Sequence, residues 1–210
     1  MKILKVIGVI LVILIGGYLV AAIVAPSSLV VERSIVIDAP ASQVYPNVVC
    51  FKNWEPWNPW DAMDSTNTNS YSGEECGVGA IYAWEGKQTG SGSQEIVEVR
   101  ENEYIKATLL FTGVEEPQVS EWFFEETEEG TKVTWNYIGT EVSFFNRPAN
   151  LMGEYFLGMA YESGLAALKE VAESSPVVED PAFDVNEVDF PESSYLLMSG
   201  DVMTKDMAEV

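Results

Sequence analysis

The residue types able to do chemistry are few. The chain has no histidine among its 210 residues. That removes Ser-His-Asp triads, imidazole zinc ligands and a histidine general base. It has no Ser-x-x-Lys pair and no glycine-rich phosphate loop, so no cofactor is expected. Asp61, Asp64, Asn67 and Asn69 offer oxygen ligands, but their spacing misses the D-x-[DN]-x-[DN]-G pattern and no metal is expected. Glu85, Glu121 and Glu125 alternate with apolar neighbours and so point away from any buried face. What remains is aromatic: Tyr82, Trp84, Phe111, Trp122, Phe124, Trp135, Tyr137 and Phe156, with Met159 beside them. Such side chains cover much area and carry N–H and O–H groups that orient a ligand. They either line a pocket for a small apolar molecule or fill a solid core. Alternation identifies the buried face and leaves its free volume open.

Other features have two readings each. Trp54, Trp57 and Trp60 form either an interface or lid cluster or a plug at one end of a sheet. Gly153, Gly158 and Gly164 each weaken a helix by about 1 kcal/mol relative to alanine; they make room for a ligand or allow close helix–sheet approach. Cys50 and Cys76 are the two cysteines; outside the cytoplasm they form a disulfide, otherwise two buried thiols.

These side chains need positioning elements, and the strand pattern supplies them. Residues 30–38 read as a strand, with Val31, Ile35 and Ile37 on one face. Ser42–Cys50 is a short helix candidate with Ser42 as its N-cap and Pro46 in an early turn. The stretch from Asp61 to Ser70 is polar. Candidate strands then follow at 77–85, 91–100, 104–112, 119–126 and 132–139, with separators short enough for hairpins. The result is an antiparallel meander with one polar and one apolar face. A helix from Asn150 to about Glu173 is the element left to cover the apolar face. Leu151, Met152, Tyr155, Phe156, Met159 and Leu165 fall at i, i+3, i+4 spacings and are predicted to do so. The fold class is therefore α+β, a single sheet covered by a long C-terminal helix.

Charge and hydropathy set the surroundings. There are 11 basic residues against 33 acidic, a formal charge of −22. Such a chain repels phosphate backbones, which argues against nucleic acid as a partner. A composition 47% apolar rules out disorder throughout. From Val6 to Val31 no residue is charged, and the run 6–25 matches the roughly 20 residues of a bilayer-spanning helix. A cleaved signal would have a shorter apolar region and small residues before its cleavage site; Ile23 and Pro26 fit that poorly. Residues 1–5, with Lys2 and Lys5, are placed in the cytoplasm, and the domain outside it, on a single-pass anchor in the cell membrane.

The stretches VERSIVIDAP (31–40), KNWEPWNPW (52–60), YSGEECGVGAIYAWEG (71–86) and GTKVTWNY (130–137) resemble the SRPBCC (START-like, helix-grip) superfamily. In detail they are similar to its membrane-anchored, polyketide cyclase/dehydrase-like branch. The resemblance covers residues 30 to about 173, within a domain drawn at 30–175. It implies a curved sheet gripping the long helix with a hydrophobic cavity between them, and it implies no particular reaction. The expected function is a membrane-tethered binding module for a small hydrophobic ligand or lipid. The alternatives are a cyclase/dehydrase-type enzyme and an envelope interaction protein without a small ligand. An enzyme would need inward ionisable groups, for which only Tyr82 and Tyr137 have the right parity. The acidic tail, 176–210, resembles the first strand and helix start of a GyrI-like domain, a partial remnant of one. Nothing in the sequence bears on oligomeric state.

Overall fold

The computed structural model describes residues 2–175, 187–190 and 193–196. The chain divides into two compact units, Met1–Pro176 and Val177–Val210.

The first unit opens with helix α1 (Lys2–Val24). Its segment Lys5–Val24 has a mean hydropathy of 2.9 and is long and apolar enough to cross a membrane. Strand β1 (Ser28–Ile37) follows, then two four-residue helices, α2 (Ala41–Val44) and α3 (Pro46–Val49). Ser42 is not an N-cap. Pro40 occupies that position with no side-chain cap, and Pro46 starts the second helix, so the expected single helix is divided in two. A 3-10 turn, Phe51–Trp54, and helix α4 (Pro59–Met63) complete this connection.

Six further strands form the meander: β2 (Thr68–Gly73), β3 (Ala80–Gly86), β4 (Gly90–Arg100), β5 (Tyr104–Phe111), β6 (Gln118–Thr127) and β7 (Gly130–Glu141). The sheet order is β1-β7-β6-β5-β4-β3-β2, antiparallel throughout. β2 begins in the polar stretch 61–70 and runs three residues beyond it, ahead of the first strand expected at 77–85. It is a mostly exposed edge strand, half-buried only at Asn69 and Tyr71, and its sequence lacks the apolar alternation of a strand packed on a core. Gly77 and Gly79 are turn residues with positive φ, so β3 starts later than expected. Turns between strands use the left-handed region where needed. Asn102 has φ 60 and Gly130 has φ 116. A Cβ at Gly130 would run into the Ile37 carbonyl, so glycine lets β7 begin against the end of β1.

After a second 3-10 turn, Phe144–Asn146, helix α5 (Pro148–Ser174) crosses the concave face of the sheet. This is a seven-stranded curved antiparallel sheet with a long C-terminal helix, an α+β helix-grip architecture. The helix is pinned at its C-terminal end. The Gln43 amide donates to the carbonyls of Ala172 (2.7 Å) and Ser175 (3.1 Å), and Lys169 donates to the Val36 carbonyl (2.6 Å). These bonds satisfy carbonyls that helix and strand ends leave open.

The face that α5 buries differs from the expected one. Tyr161, Leu165, Leu168 and Ala172 are buried against the sheet, whereas Met152 is 63% and Tyr155 60% exposed. Leu151, Phe156 and Met159 are exposed as well. Only Leu165 of the predicted apolar set is in the core. Three small residues set the approach: Cβ atoms added at Gly164, Gly158 and Gly153 would meet Pro59 and Trp135, the Arg33 guanidinium, and Leu29 respectively. The core itself is aromatic. Trp122 and Trp135 stack at 4.1 Å, and Trp54 and Trp57 meet both of them edge-on at 5.9–6.2 Å. The Trp54 and Trp57 indoles donate to the carbonyls of Val48 (2.9 Å) and Asn47 (3.2 Å), which satisfies their buried N–H groups. A disulfide joins Cys50 to Cys76, whose Cα atoms are 4.3 Å apart, and holds the Trp block against the β2–β3 turn.

The second unit contains a two-stranded antiparallel hairpin, β8 (Glu187–Phe190) with β9 (Ser193–Leu196). The helix start expected after the first strand of the tail lies outside the described residues.

Candidate ligand cavity

The sheet and α5 do not close on each other along their whole length. Over β3, β4 and β5, and under the N-terminal half of α5, they leave a cavity of about 520 Å³. That is within the roughly 300–1,000 Å³ of small-molecule sites. Tyr82, Trp84, Phe111, Trp135, Tyr137 and Phe156 line it, as do Trp60, Leu109 and Leu157. Strand register explains the grouping. Tyr82 lies opposite Gln94, which lies opposite Leu109; Trp84 lies opposite Gly92, which lies opposite Phe111. Each row presents its side chains to one face. Gly92 is needed in the second row, because a Cβ there would sit 2.6 Å from the Trp84 ring.

Three of the residues singled out from sequence are not in the walls. Trp122 stacks on Trp135, its register partner in β7, and is capped edge-on by Trp54 and Trp57, so its ring is covered by tryptophans and not by the cavity. Phe124 lies nearer the closed end, edge-on to Tyr45 at 5.4 Å. Met159 is on the outer side of α5 and 45% exposed. Parity places all of these on an apolar stripe but does not tell which stretch of a strand or helix is covered by a neighbour.

The polar groups of the cavity are neutral. Gln94, Ser120, Gln88, Thr89, Tyr82, Tyr137 and Tyr161 reach it, and no carboxylate, lysine or arginine is among its lining residues. Burial pushes the phenols of Tyr82, Tyr137 and Tyr161 above their ordinary range; hydroxyl and amide neighbours, Ser120 at Tyr161 and Asn58 at Tyr82, offset this only partly. All three are protonated at neutral pH, so each is able to donate a hydrogen bond to a ligand. Tyr161 stacks flat on Trp135 with centroids 3.6 Å apart, and the Trp135 indole donates to Ser120 Oγ at 3.0 Å. Gln94, Ser120, Leu109 and Tyr161 were not singled out in advance. Parity is the signal that points to two of them: Leu109 shares it with Phe111 in β5, and Ser120 with Trp122 in β6.

At the β2–β3 end the cavity abuts a hydrogen-bond network built from the acidic loop. The Asp61 carboxylate accepts from the amides of Asn58 (3.0 Å), Asn67 (2.7 Å) and Asn69 (2.7 Å). Tyr82 donates to Asn69 Oδ1 (2.9 Å) and accepts from Asn58 (3.1 Å). Asp64 is fully buried; it accepts from the Thr66 hydroxyl (2.6 Å) and from the backbone N–H groups of Thr66, Gln88 and Thr89. Those donors, the Thr66 hydroxyl foremost, hold its carboxyl well below the usual range. The oxygens that resemble a cation loop in sequence are thus spent on fixing the α4–β2 connection and orienting the Tyr82 hydroxyl.

Comparison with known proteins adds the following. Residues 28–173 match the family model described as polyketide cyclase / dehydrase and lipid transport. No curated protein matches the chain. Among solved structures, a Staphylococcus aureus protein of unknown function is 17% identical over 70% of this chain and 94% of its own, with a TM-score of 0.55. A dimeric Aha1 from Colwellia psychrerythraea is 16% identical over 70% and 97%, TM-score 0.53. Protein Ms6760 from Mycobacterium smegmatis is 14% identical over 70% and 93%, TM-score 0.53. At these identities the likeness is one of fold.

Proposed function

The chain belongs to the polyketide cyclase / dehydrase and lipid transport family, and from that premise we propose that it is a membrane-tethered binding module for a small, uncharged, largely apolar ligand. The observation that carries this reading is the cavity of about 520 Å³, whose lining is aromatic and aliphatic with only neutral polar groups. An aromatic wall supplies the affinity. The Gln94 amide, buried and facing the cavity, supplies an orienting hydrogen bond of either sense. A charged ligand would lose its hydration with no counter-charge to replace it. The N-terminal apolar helix acts as an uncleaved anchor in this reading, and Lys2 and Lys5 keep that end in the cytoplasm with the domain on the opposite side. Acid–base catalysis of the cyclase or dehydrase type is the less supported reading, because the lining offers protonated phenols as acids and no carboxylate as a base.

Native mass spectrometry of the full chain released from phospholipid nanodiscs tests the binding reading. A bound apolar adduct, removable by organic extraction, is the expected result. Bare chain that also takes up no added apolar probe would sink it.

A further inference from the structure

The N-terminal half of α5 turns an apolar face outward, and it does not stand alone. Phe144 and Phe145, in the 3-10 turn before it, are exposed, Phe145 to 63%. Leu151, Met152, Tyr155 and Phe156 continue the apolar surface along the helix. Exposed patches of this kind mark contact with a partner or a membrane.

Three observations identify the occupant as lipid. The first is contact with α1. Tyr18 donates to the Phe145 carbonyl, and Asn150 donates to the Pro26 carbonyl at 3.0 Å. Tyr18 and Ala22 lie on one face of α1, and Ala25 follows its end; both alanines are buried and Ala21 is half-buried, while residues 5–20 are exposed. The second is depth. The 20-residue segment Lys5–Val24 is about 30 Å long, the thickness of a hydrocarbon core. Tyr18 lies nearly two turns inside its end at Val24, about 9 Å along the axis. A turn bonded to Tyr18 therefore sits below the level at which the chain leaves the apolar layer, at the ~5–10 Å depth of interfacial elements. The third is charge. Residues 142–153 include Arg147 and no carboxylate, in a chain with 33 acidic residues. The Arg147 guanidinium lies over the Phe144 ring, 5.8 Å from its centre. Glu154, at the edge of the patch, is paired with Arg33 at 3.1 Å.

We infer that Phe144, Phe145 and the outward face of α5 at Leu151, Met152, Tyr155 and Phe156 dip into the leaflet from which α1 emerges, seating the cavity's rim at Gly153, Phe156 and Leu157 against acyl chains. The ligand then enters from the bilayer instead of from water. Arg147 stands at the level of the lipid phosphates. This rests on the reading of α1 as an anchor and of the cavity as a ligand site.

The test uses the full chain in phosphatidylcholine nanodiscs, with a nitroxide at Phe145→Cys or at Thr127→Cys, the exposed last residue of β6. The disulfide-bonded Cys50 and Cys76 do not take the label. The label at 145 should collide with oxygen more than with a water-soluble nickel chelate, and the label at 127 should do the reverse. Equal nickel access at both positions overturns the docking. Shielding of 145 from both reagents also overturns it, and points to a protein partner such as a second copy. In a second arm, Phe144→Asp/Phe145→Asp should slow loading of a fluorescent acyl probe from the disc lipid by more than tenfold. Its final occupancy should stay within twofold of the unaltered chain. Unchanged loading refutes entry from the bilayer. An unaltered chain that binds no probe refutes the ligand site, while the label depth still decides the docking.

Discussion

Residues 148–159 and 160–174 of α5 both repeat apolar side chains at three- and four-residue spacing. Yet Leu168 and Ala172 are fully buried, while Met152 and Tyr155 are more than half exposed. Over the second stretch the helix lies on the tryptophan core, with Gly164 against Pro59 and Trp135. Over the first it spans the cavity, and its larger side chains turn outward toward the side where α1 leaves the domain. Amphipathic spacing reports that a helix has an apolar face. It does not report whether that face meets protein or lipid. In this chain one helix turns its second stretch into the protein and the larger side chains of its first stretch outward, and the change occurs within a turn of Ala160.

Substitutions on the two stretches should separate them, beginning with the largest effect. Leu168→Ala opens a void in a filled layer and should lower unfolding free energy by about 2–5 kcal/mol, measured by denaturant unfolding of the full chain in mild detergent. A loss below 1 kcal/mol would mean that the closed end is also loosely packed. Gly164→Ala places a methyl 2.9 Å from the Pro59 ring and 3.2 Å from Trp135. Overpacking of this kind destabilises by about 1–3 kcal/mol, more than alanine's helix preference of about 1 kcal/mol returns. Gly153→Ala meets only the end of the Leu29 side chain, at 3.0 Å, which has the cavity to move into. It should be neutral or mildly stabilising, so the two glycines should differ in sign. Met152→Ser and Tyr155→Ser should shift domain stability by less than about 0.5 kcal/mol, as exposed positions do.

Acid sharpens the contrast at the other end of the cavity. The Thr66 hydroxyl and three backbone N–H groups depress the Asp64 pKa, while the unfolded chain titrates near ~3.9. The bound carboxylate therefore stabilises the fold fully above that value, and the contribution falls as pH drops through and below it. Asp64→Asn should be less stable than the unaltered chain at pH 6, and the gap should narrow steadily between pH 4 and pH 2. A gap that is constant with pH would mean that Asp64 acts through shape alone.

The strands with strict alternation, β5, β6 and β7, are legible in sequence to within two residues at each end, as is the extent of α5. Their side chains meet core on one face and water on the other. β2 was not, because Thr68–Gly73 is an edge strand with little to bury. The helix face was misread because Leu151, Met152 and Tyr155 are as apolar as any core residue. The cavity walls were half legible. The aromatic rows of β3 and β5 stood out, but Gln94 and Ser120 are polar residues whose burial follows from register with Tyr82 and Tyr137. Register is a property of paired strands and is invisible along one. Trp122 shows the converse: its parity is right, and three other tryptophans already occupy the space around it.

The account rests on the space above Trp135 being open to a ligand. Leu109→Trp tests this directly, because Leu109 lines the cavity and a larger ring there would fill it. Titration of the full chain in nanodiscs with a neutral apolar fluorophore should show saturable binding. The Leu109→Trp variant should lose at least tenfold in affinity, about 1.4 kcal/mol, with unfolding free energy unchanged to within about 1 kcal/mol. A variant that binds as tightly as the unaltered chain, or one strongly destabilised by the added ring as a filled core would be, would contradict it.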